Sequence, residues 1–270
     1  MISSLSNPSF RRWLAGKDKS DRKSGELLLE GFHLVQAWTL RYAAPHCIIV
    51  AESFQMTDEL AAWLAKHPVP LEVVSKALFA KLSSLETFLG PIALVTPTLK
   101  VLSEPSAHRG DLVYLDRIQD PGNLGTILRS CAALGVSQVA LSPGTVWPWS
   151  AKVLRAGMSA HFALDIFDEF SVDSLLALQG FQLLATSGLE AKDVRMIDQS
   201  NLYPPTIWCF GNEGSGLSQA ILEAPGALRV SIPQRKSVES LNVAAALSIC
   251  LFEQLRQRRA SSDGLQAVAK

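Results

Sequence analysis

Apolar and polar residues follow two different rhythms over the first hundred residues. Segments with apolar centres at 46–53, 71–75 and 91–98 predict strands, the first of them buried, and a shorter segment beginning near residue 26 predicts another. Apolar residues at helical spacing predict helices over 32–42, 57–68 and 76–84. Thr57 is a natural N-cap for the second of these helices, and Pro68 ends it. Strands that alternate with helices indicate an α/β fold.

The same rhythm returns after a segment that lacks periodicity. Residues 99–111 contain Pro, Ser and Gly, so we place a domain boundary near residue 106, between domains 1–105 and 106–270. Beyond it, the pattern predicts strands at 111–118, 137–144, 165–167, 181–187, 206–213 and 227–233, and helices at 122–135, 150–162, 173–180 and 240–258. Unbroken apolar strands are typical of a parallel sheet that is covered on both faces.

Composition narrows the class of protein further. The chain is 48% hydrophobic with a formal net charge of zero, which argues against a generally basic nucleic-acid binder but leaves room for a local basic patch. Such a run lies near the N-terminus, where a solvated tail and an RNA-binding patch explain it equally well: Arg11, Arg12, Lys17, Lys19, Arg22 and Lys23.

The cysteines and histidines indicate no metal site. The four cysteines are far apart, the five histidines do not cluster, and reduced thiols are the default for such spacing, so we expect no structural metal. No apolar run is long enough for a membrane helix, and no signal-peptide pattern is present. We therefore expect a cytoplasmic protein, with an organelle transit peptide as the alternative, since the first fourteen residues contain serines and arginines.

Three predicted strand ends are followed by glycine or small polar residues. The first is DPGNLGTILR at 120–129, where Asn123 is either a helix N-cap or a functional amide, and Arg129 is either a surface residue or a cation near the sheet edge that binds ligands. The second is IWCFGNEGSGLS at 207–218, where Glu213 is either a helix cap or an active carboxylate. The third is VSIPQRKSVESLN at 230–242, where Ser240 is a good N-cap at a helix start that also suits an anion.

Taken together, the three segments resemble the SpoU (TrmH) family of RNA 2′-O-ribose methyltransferases, within the SPOUT superfamily. The resemblance lies in DPGNLGTILRSCAALGV, WCFGNEGSGLS and SIPQRKSVESLNVAAAL, which occur in the family's order. It extends to SAKVLRAGMSAHF between them, and to GELLLEGFHLVQAW and KLSSLETFLGPIALV, which are similar to the family's N-terminal domain. The chain departs from the family pattern at Gln234–Arg235–Lys236, where many members have smaller residues, and at Arg117.

The resemblance implies a fold and a cofactor. The fold would be α/β, with a C-terminal SPOUT domain that has a parallel sheet and a deep trefoil knot, and an N-terminal L30e-like domain that binds the RNA substrate. S-adenosylmethionine would bind in a bent form between the knot loops. Carried over to this chain, the residues that bind it would be Thr186, Ser187, Gly188, Gly211, Asn212, Gly214, Ile232, Pro233 and Leu241.

The resemblance also implies the reaction, which is methyl transfer to a ribose 2′-hydroxyl without a metal. The catalytic set would be Asn123, Arg129, Glu213, Ser240 and Asn242. Because a guanidinium is effectively always protonated, we expect Arg129 to clamp an RNA phosphate rather than to act as a base. Asn123 and Asn242 would fix Arg129 or the ribose, and Glu213 and Ser240 would hold the loops.

The partners follow from the same resemblance. Family members work as homodimers with the site at the subunit interface. Ribosomal RNA of the 23S type is the expected substrate, and transfer RNA is the second. A non-catalytic RNA-binding protein of the same fold is the remaining alternative, but it predicts that some of the five polar positions would be missing. A Rossmann dehydrogenase is excluded, because the glycine fingerprint is absent from the first strand.

Overall fold

The computed structural model describes residues 1–18, 25–85, 90–96, 104–188, 194–235, 237 and 240–268. The chain forms two compact units, one of Met1–Lys100 with Trp149–Arg155 and the other of Val101–Pro148 with Ala156–Lys270. The predicted α/β class is confirmed in both. The functions assigned above to domains 1–105 and 106–270 stay predictions, because compactness carries no information about activity.

The first unit is built on a four-stranded mixed sheet. Strands β1 and β2 both pair antiparallel with β4, and β2 pairs parallel with β3, so that the order is β1-β4-β2-β3. The predicted strands and helices of this unit are confirmed, and Thr57 caps its helix as expected, with its hydroxyl accepting from Leu60 N at 3.3 Å. In chain order its elements are α1 (Pro8–Asp18), β1 (Leu27–Glu30), α2 (Phe32–Arg41), β2 (Cys47–Ala51), α3 (Asp58–Lys66), β3 (Leu71–Val74), α4 (Lys76–Leu82) and β4 (Ile92–Val95).

The N-terminal helix α1 was not predicted, and the interpretation of its residues as a solvated tail is wrong. Phe10 and Trp13 of this helix are buried in the core of the first unit. Lys17 Nζ donates to the carbonyls of Lys81 and Ser83 at 2.6 and 2.7 Å, so it satisfies the C-terminal end of α4. Phe10 and Trp13, with Leu14 packed partly buried against the same core, lie in an otherwise polar stretch. Three such residues are too weak a pattern for sequence reasoning to detect. Lys19, Arg22 and Lys23 lie outside the described residues.

The second unit is built on a seven-stranded sheet in which every described pair is parallel, as predicted. Its strand order is β7-β6-β5-β10-β8-β11-β9. The central strands are buried on both faces, which explains their unbroken apolar runs. The elements from β5 onward are β5 (Leu112–Asp116), α5 (Pro121–Ala133), β6 (Gln138–Leu141), α6 (Ala151–Gly157), β7 (Asp165–Phe167), α7 (Val172–Ala177), β8 (Gln182–Thr186), β9 (Arg195–Met196), β10 (Thr206–Gly211), α8 (Gln219–Leu222), β11 (Ala227–Ser231) and α9 (Val243–Val268).

Two predicted helices differ from those in the structure. The helix expected over 150–162 ends at Gly157, because Met158 and Ser159 adopt left-handed conformations and a 3-10 turn follows at Ala160–Ala163. The closing helix begins at Val243 rather than near residue 240, and it extends to Val268. The short elements β9 and α8 were not predicted. The trefoil knot stays a prediction.

The parallel arrangement brings the carboxyl ends of the central strands to one edge. Gly211 at the end of β10 is paired with Asp116 at the end of β5, and Val230 of β11 is paired with Thr186 of β8. The segments that follow these strands therefore meet at the edge of the sheet where α/β proteins bind ligands. Among the described residues, no helix is long and apolar enough to cross a membrane.

Candidate active site

The segment after β10 folds into a tight turn that requires glycine. Asn212 and Gly216 exchange backbone hydrogen bonds of 3.1 and 2.9 Å, so the chain reverses within a few residues. A Cβ at Gly211 would lie 2.1 Å from Gly216 C and 2.2 Å from Leu217 N, distances at which backbone atoms overlap. The glycine is therefore required because another part of the backbone passes directly over it.

The side chain of Asn212 holds this turn against the end of β5. Its Oδ1 accepts from the backbone N–H groups of Gly214 and Ser215, both at 2.9 Å, and its Nδ2 donates to Arg117 O at 2.8 Å. Arg117 has a left-handed φ of 57°, which turns its carbonyl toward Asn212, and its side chain pairs with the buried carboxylate of Asp116 at 3.0 Å. The positive charge of Arg117 is thus partly neutralised.

The N-terminus of α5 is capped by Asp120, and the N-cap alternative for Asn123 is wrong. Asp120 Oδ1 accepts from Asn123 N at 2.7 Å, and Pro121 occupies the first helical position. The side chain of Asn123 is therefore available for another contact. The signal for Asp120 was present in the sequence as Asp-Pro before an apolar helical pattern.

A chain of side-chain hydrogen bonds joins α9, α5 and the glycine turn. Asn242 Nδ2 donates to Asn123 Oδ1 at 2.9 Å, and Asn123 Nδ2 donates to Glu213 Oε1 at 2.9 Å. Asn242 Oδ1 also accepts from the N–H groups of Ala244 and Ala245, so Asn242, and not Ser240, caps α9.

The groups at the two ends of this hydrogen-bonded series determine which atom donates at each step. The backbone N–H groups at the start of α9 can only donate, so they require the side-chain oxygen of Asn242 as their acceptor. The amide nitrogen of Asn242 must then face the oxygen of Asn123. The amide nitrogen of Asn123 in turn requires an acceptor, which Glu213 provides. An ionised Glu213 thus determines the orientation of both asparagine side chains.

The surroundings of Glu213 favour its ionised form. Burial acts to raise its pKa, but this effect is outweighed by hydrogen bonds from the Asn123 side chain and from backbone N–H groups, including those of Gln119 and Asp120 at 3.2 Å, so the pKa is lowered. A carboxylate with a lowered pKa that already accepts several hydrogen bonds is a weak base. Glu213 is therefore suited to hold the loops in place, as its predicted role requires.

The strand ends and the glycine turn enclose a cavity of about 580 Å³. Its lining includes eight of the nine residues predicted to bind a cofactor; the ninth, Pro233, is not part of the described lining. Glu213, Ser240 and Asn242 also line the cavity. Sequence reasoning missed its other lining residues, which are Ile197, Phe210, Ser215, Gly216, Leu217, Leu222, Val230, Ser231, Gln234, Val243, Ala246 and Cys250. Most of them are ordinary core residues in the sequence, so no local signal could identify them.

Arg129 lies apart from this group. It is exposed on α5, does not line the cavity, and makes no hydrogen bond or ion pair with a residue that the structure describes. Asn123 also lies off the lining, but its side chain contacts Glu213 and Asn242, which line it. The structure therefore brings together four of the five predicted catalytic residues and leaves Arg129 facing outward.

Comparison with known proteins places this arrangement in a family. The model of the SpoU rRNA Methylase family matches residues 111–252, more than half of the chain. An "uncharacterized tRNA/rRNA methyltransferase" of Synechocystis is 36% identical over 97% of this chain and 95% of its own length. The 23S rRNA (guanosine(2553)-2′-O)-methyltransferase RlmP of Bacillus subtilis is 28% identical over 93% of this chain and 97% of its own length.

A solved structure agrees with these matches. The AdoMet-bound rRNA methyltransferase of Sinorhizobium meliloti superposes with a TM-score of 0.80 at 27% identity, covering 95% of this chain and 97% of the other. The family model and the relatives match the segments that contribute Asn123, Glu213 and Asn242. The chain therefore belongs to the SpoU rRNA Methylase family, a family of RNA 2′-O-ribose methyltransferases.

Proposed function

We propose that this protein transfers a methyl group from S-adenosylmethionine to a ribose 2′-hydroxyl of ribosomal RNA, with 23S-type RNA as the first candidate. The observation that carries the proposal is the hydrogen-bonded chain Asn242–Asn123–Glu213 beside a glycine-rich cavity. The Bacillus relative is named for a 23S rRNA substrate, which favours that RNA. The Synechocystis relative is named for tRNA or rRNA, so transfer RNA is the second candidate.

The cavity has the size and the chemistry that the cofactor requires. Its volume of about 580 Å³ lies in the range of small-molecule sites. The backbone contact over Gly211 allows main-chain groups to approach a ligand, and the lining combines apolar side chains with Thr186, Ser187 and Gln234. Bound there, S-adenosylmethionine would supply a methyl group on an electrophilic sulfonium.

The side chains beside the cavity would orient the ribose. Asn123 and Asn242 are held in fixed rotamers by Glu213 and by the start of α9, so they are preorganised to support a bound nucleotide. With its lowered pKa, Glu213 is not the proton acceptor in this proposal. The proton of the 2′-hydroxyl would leave to water or to a phosphate oxygen.

Arg129 would bind the RNA phosphate. A guanidinium presents two parallel N–H groups to a phosphate, and it would also stabilise the developing charge on the ribose oxygen. The Arg129 side chain is exposed and has no partner among the described residues, so its guanidinium is available to bind RNA. Because Arg129 faces outward, it would reach a reacting nucleotide most directly if two chains form the site together.

A homodimer with the site at the subunit interface is part of the proposal. Helix α9 begins at the site and exposes Ala245, Ile249 and Phe252, with Ile249 41% and Phe252 59% exposed. These residues lie three and four positions apart, so they form one apolar face of the helix. An exposed apolar face of this kind indicates an interaction surface.

A tritium-transfer assay tests the activity. The protein would be incubated with labelled S-adenosylmethionine and, separately, with unmodified 23S rRNA, 16S rRNA and bulk tRNA. We expect label in 23S rRNA, and a loss of roughly a hundredfold or more in kcat/KM for Arg129→Ala, the size expected when a preorganised charge stabiliser is removed. Arg129→Lys keeps the charge but not the fork, so near-normal turnover of this variant would argue against the clamp.

The other outcomes are equally informative. Label in tRNA alone would move the assignment to the second candidate. Absence of label together with measurable cofactor binding would indicate that an assembly particle or another RNA is the substrate. Absence of cofactor binding would overturn the methyltransferase proposal and favour the non-catalytic RNA-binding alternative.

A further inference from the structure

One residue that lines the cavity has a hydrogen-bond acceptor without a partner. Gln234 is part of the lining, and its Oε1 is shielded from water and accepts no hydrogen bond from any group that the structure describes. Leaving a buried amide carbonyl unpaired costs free energy, and native proteins therefore pair nearly all such groups. An unpaired acceptor on a residue that lines a ligand cavity indicates that a bound ligand supplies the missing donor.

Gln234 lies in the segment that follows β11. Two other polar side chains of the lining are already used. The amide of Asn212 is paired on both sides, and Thr186 Oγ1 donates to Cys209 O at 2.8 Å. Gln234 is therefore available to recognise part of a ligand.

S-adenosylmethionine offers two N–H donors of different character. The exocyclic amine of adenine is neutral and belongs to a flat, largely apolar ring, whereas the ammonium of the methionine portion carries a full charge. A neutral buried amide oxygen matches the first donor, while an ionised carboxylate such as Glu213, which also lines the cavity, matches the second better. Phe210, Leu222 and Val230 supply apolar lining for the ring.

We propose that Gln234 Oε1 accepts a hydrogen bond from the exocyclic amine of the cofactor's adenine and so selects adenine over purines that lack this amine. The inference rests on the proposed function, because it takes the cavity to be the cofactor site.

Calorimetric titration with two ligands tests the assignment without any turnover. One ligand is S-adenosylhomocysteine, and the other is its analogue with unsubstituted purine in place of adenine. The purine analogue has no group at that position, so a rotated amide cannot form a substitute hydrogen bond. We expect the wild-type protein to prefer the adenine ligand by roughly twofold to tenfold, the range that corresponds to one net hydrogen bond.

Two substitutions separate the side chain from its surroundings. Gln234→Met keeps an unbranched chain of similar length but removes the acceptor, so it should bind both ligands with equal affinity. Gln234→Glu keeps an acceptor at the same position and should retain the preference. Thermal unfolding of each variant shows whether the fold is intact.

The results distinguish the two proposals. Equal affinity of the wild-type protein for both ligands, or an unchanged preference in Gln234→Met, would overturn the role of Gln234 while leaving the cofactor site in place. Failure of the wild-type protein to bind S-adenosylhomocysteine at all would overturn both the cofactor assignment and this inference.

Discussion

Gly211 illustrates how one residue determines the geometry of the glycine turn. The position of its absent Cβ is 2.1 Å from Gly216 C, so a methyl group there would force the backbone apart. Gly214 is different, because the nearest atom to its Cβ position is Asn212 Oδ1 at 3.6 Å, an ordinary contact. Close backbone contact therefore requires glycine at position 211, whereas the space around position 214 would accept a methyl group.

We expect Gly211→Ala to lower the midpoint of thermal unfolding by several degrees and to abolish binding of S-adenosylhomocysteine, because the turn cannot close without displacing Gly216. Differential scanning calorimetry and calorimetric titration measure the two effects. Gly214→Ala is the matched control and should unfold close to the wild-type midpoint. Equal midpoints for Gly211→Ala and Gly214→Ala would contradict the steric argument.

His161 is a buried titratable group in the second unit. Burial, partly offset by a 2.8 Å hydrogen bond to Pro148 O, lowers its pKa from 6.5 to about 4. Between these two values the unfolded chain binds a proton that the folded chain excludes. The contribution of His161 to stability is therefore complete above pH 6.5 and is lost as the pH falls toward 4.

We expect the free energy of unfolding to decrease by about 2 kcal/mol more in the wild-type protein than in His161→Gln between pH 7 and pH 5. Glutamine retains a donor for Pro148 O but does not titrate. Urea denaturation at a series of pH values gives both curves. Parallel curves for the two proteins would show that His161 does not exclude a proton in the folded state.

At the scale of elements, a buried polar network fixes α9 to the seven-stranded sheet at the edge where β5 and β10 begin, opposite the strand ends that line the cavity. Arg258 donates to both carboxylate oxygens of Asp111 at 2.7 and 2.9 Å, and Gln254 bridges Asp111, Thr206 and Trp208. Asp111 precedes β5 and Thr206 begins β10, so one helix is tied to two central strands. The other end of the same helix begins at Asn242 in the site.

Removal of the shared carboxylate should loosen this attachment. We expect Asp111→Ala to cost roughly 2–3 kcal/mol of stability, less than a fully buried pair because Arg258 keeps some contact with water. Glu253→Ala is the control, because it removes a carboxylate paired with Arg256 on the exposed side of the same helix. Urea unfolding should separate the two variants clearly, and similar midpoints would contradict a special role for Asp111.

At the scale of the whole molecule, the apolar face of α9 bears on the proposed homodimer. We expect Phe252→Asp to convert a dimer into a monomer in sedimentation equilibrium, and to lower methyl transfer along with it, because a buried carboxylate would oppose association. Leu40→Asp is the control, since Leu40 of α2 is 90% exposed and lies outside α9. A wild-type monomer, or a Phe252→Asp dimer, would contradict the assignment of this face.

The sequence by itself determined the elements whose signals are local. Periodicity located β2, β5, β6 and β10 because each is buried on both faces, and Thr57 marked its helix start because an N-cap acts within three residues. The three glycine and small-residue segments carry local signals of the same kind, and their order along the chain is what resembles the family.

Only the tertiary structure decided which side chains meet. Asn123 contacts Glu213 across 90 positions and Asn242 across 119, and nothing in the spacing of these residues specifies such contacts. The sequence contains equally little indication of three other features: the unpaired acceptor of Gln234, the exposed position of Arg129, and the core positions of Phe10 and Trp13. Local patterns encode periodic burial and caps, whereas partners distant in sequence depend on the path of the whole chain.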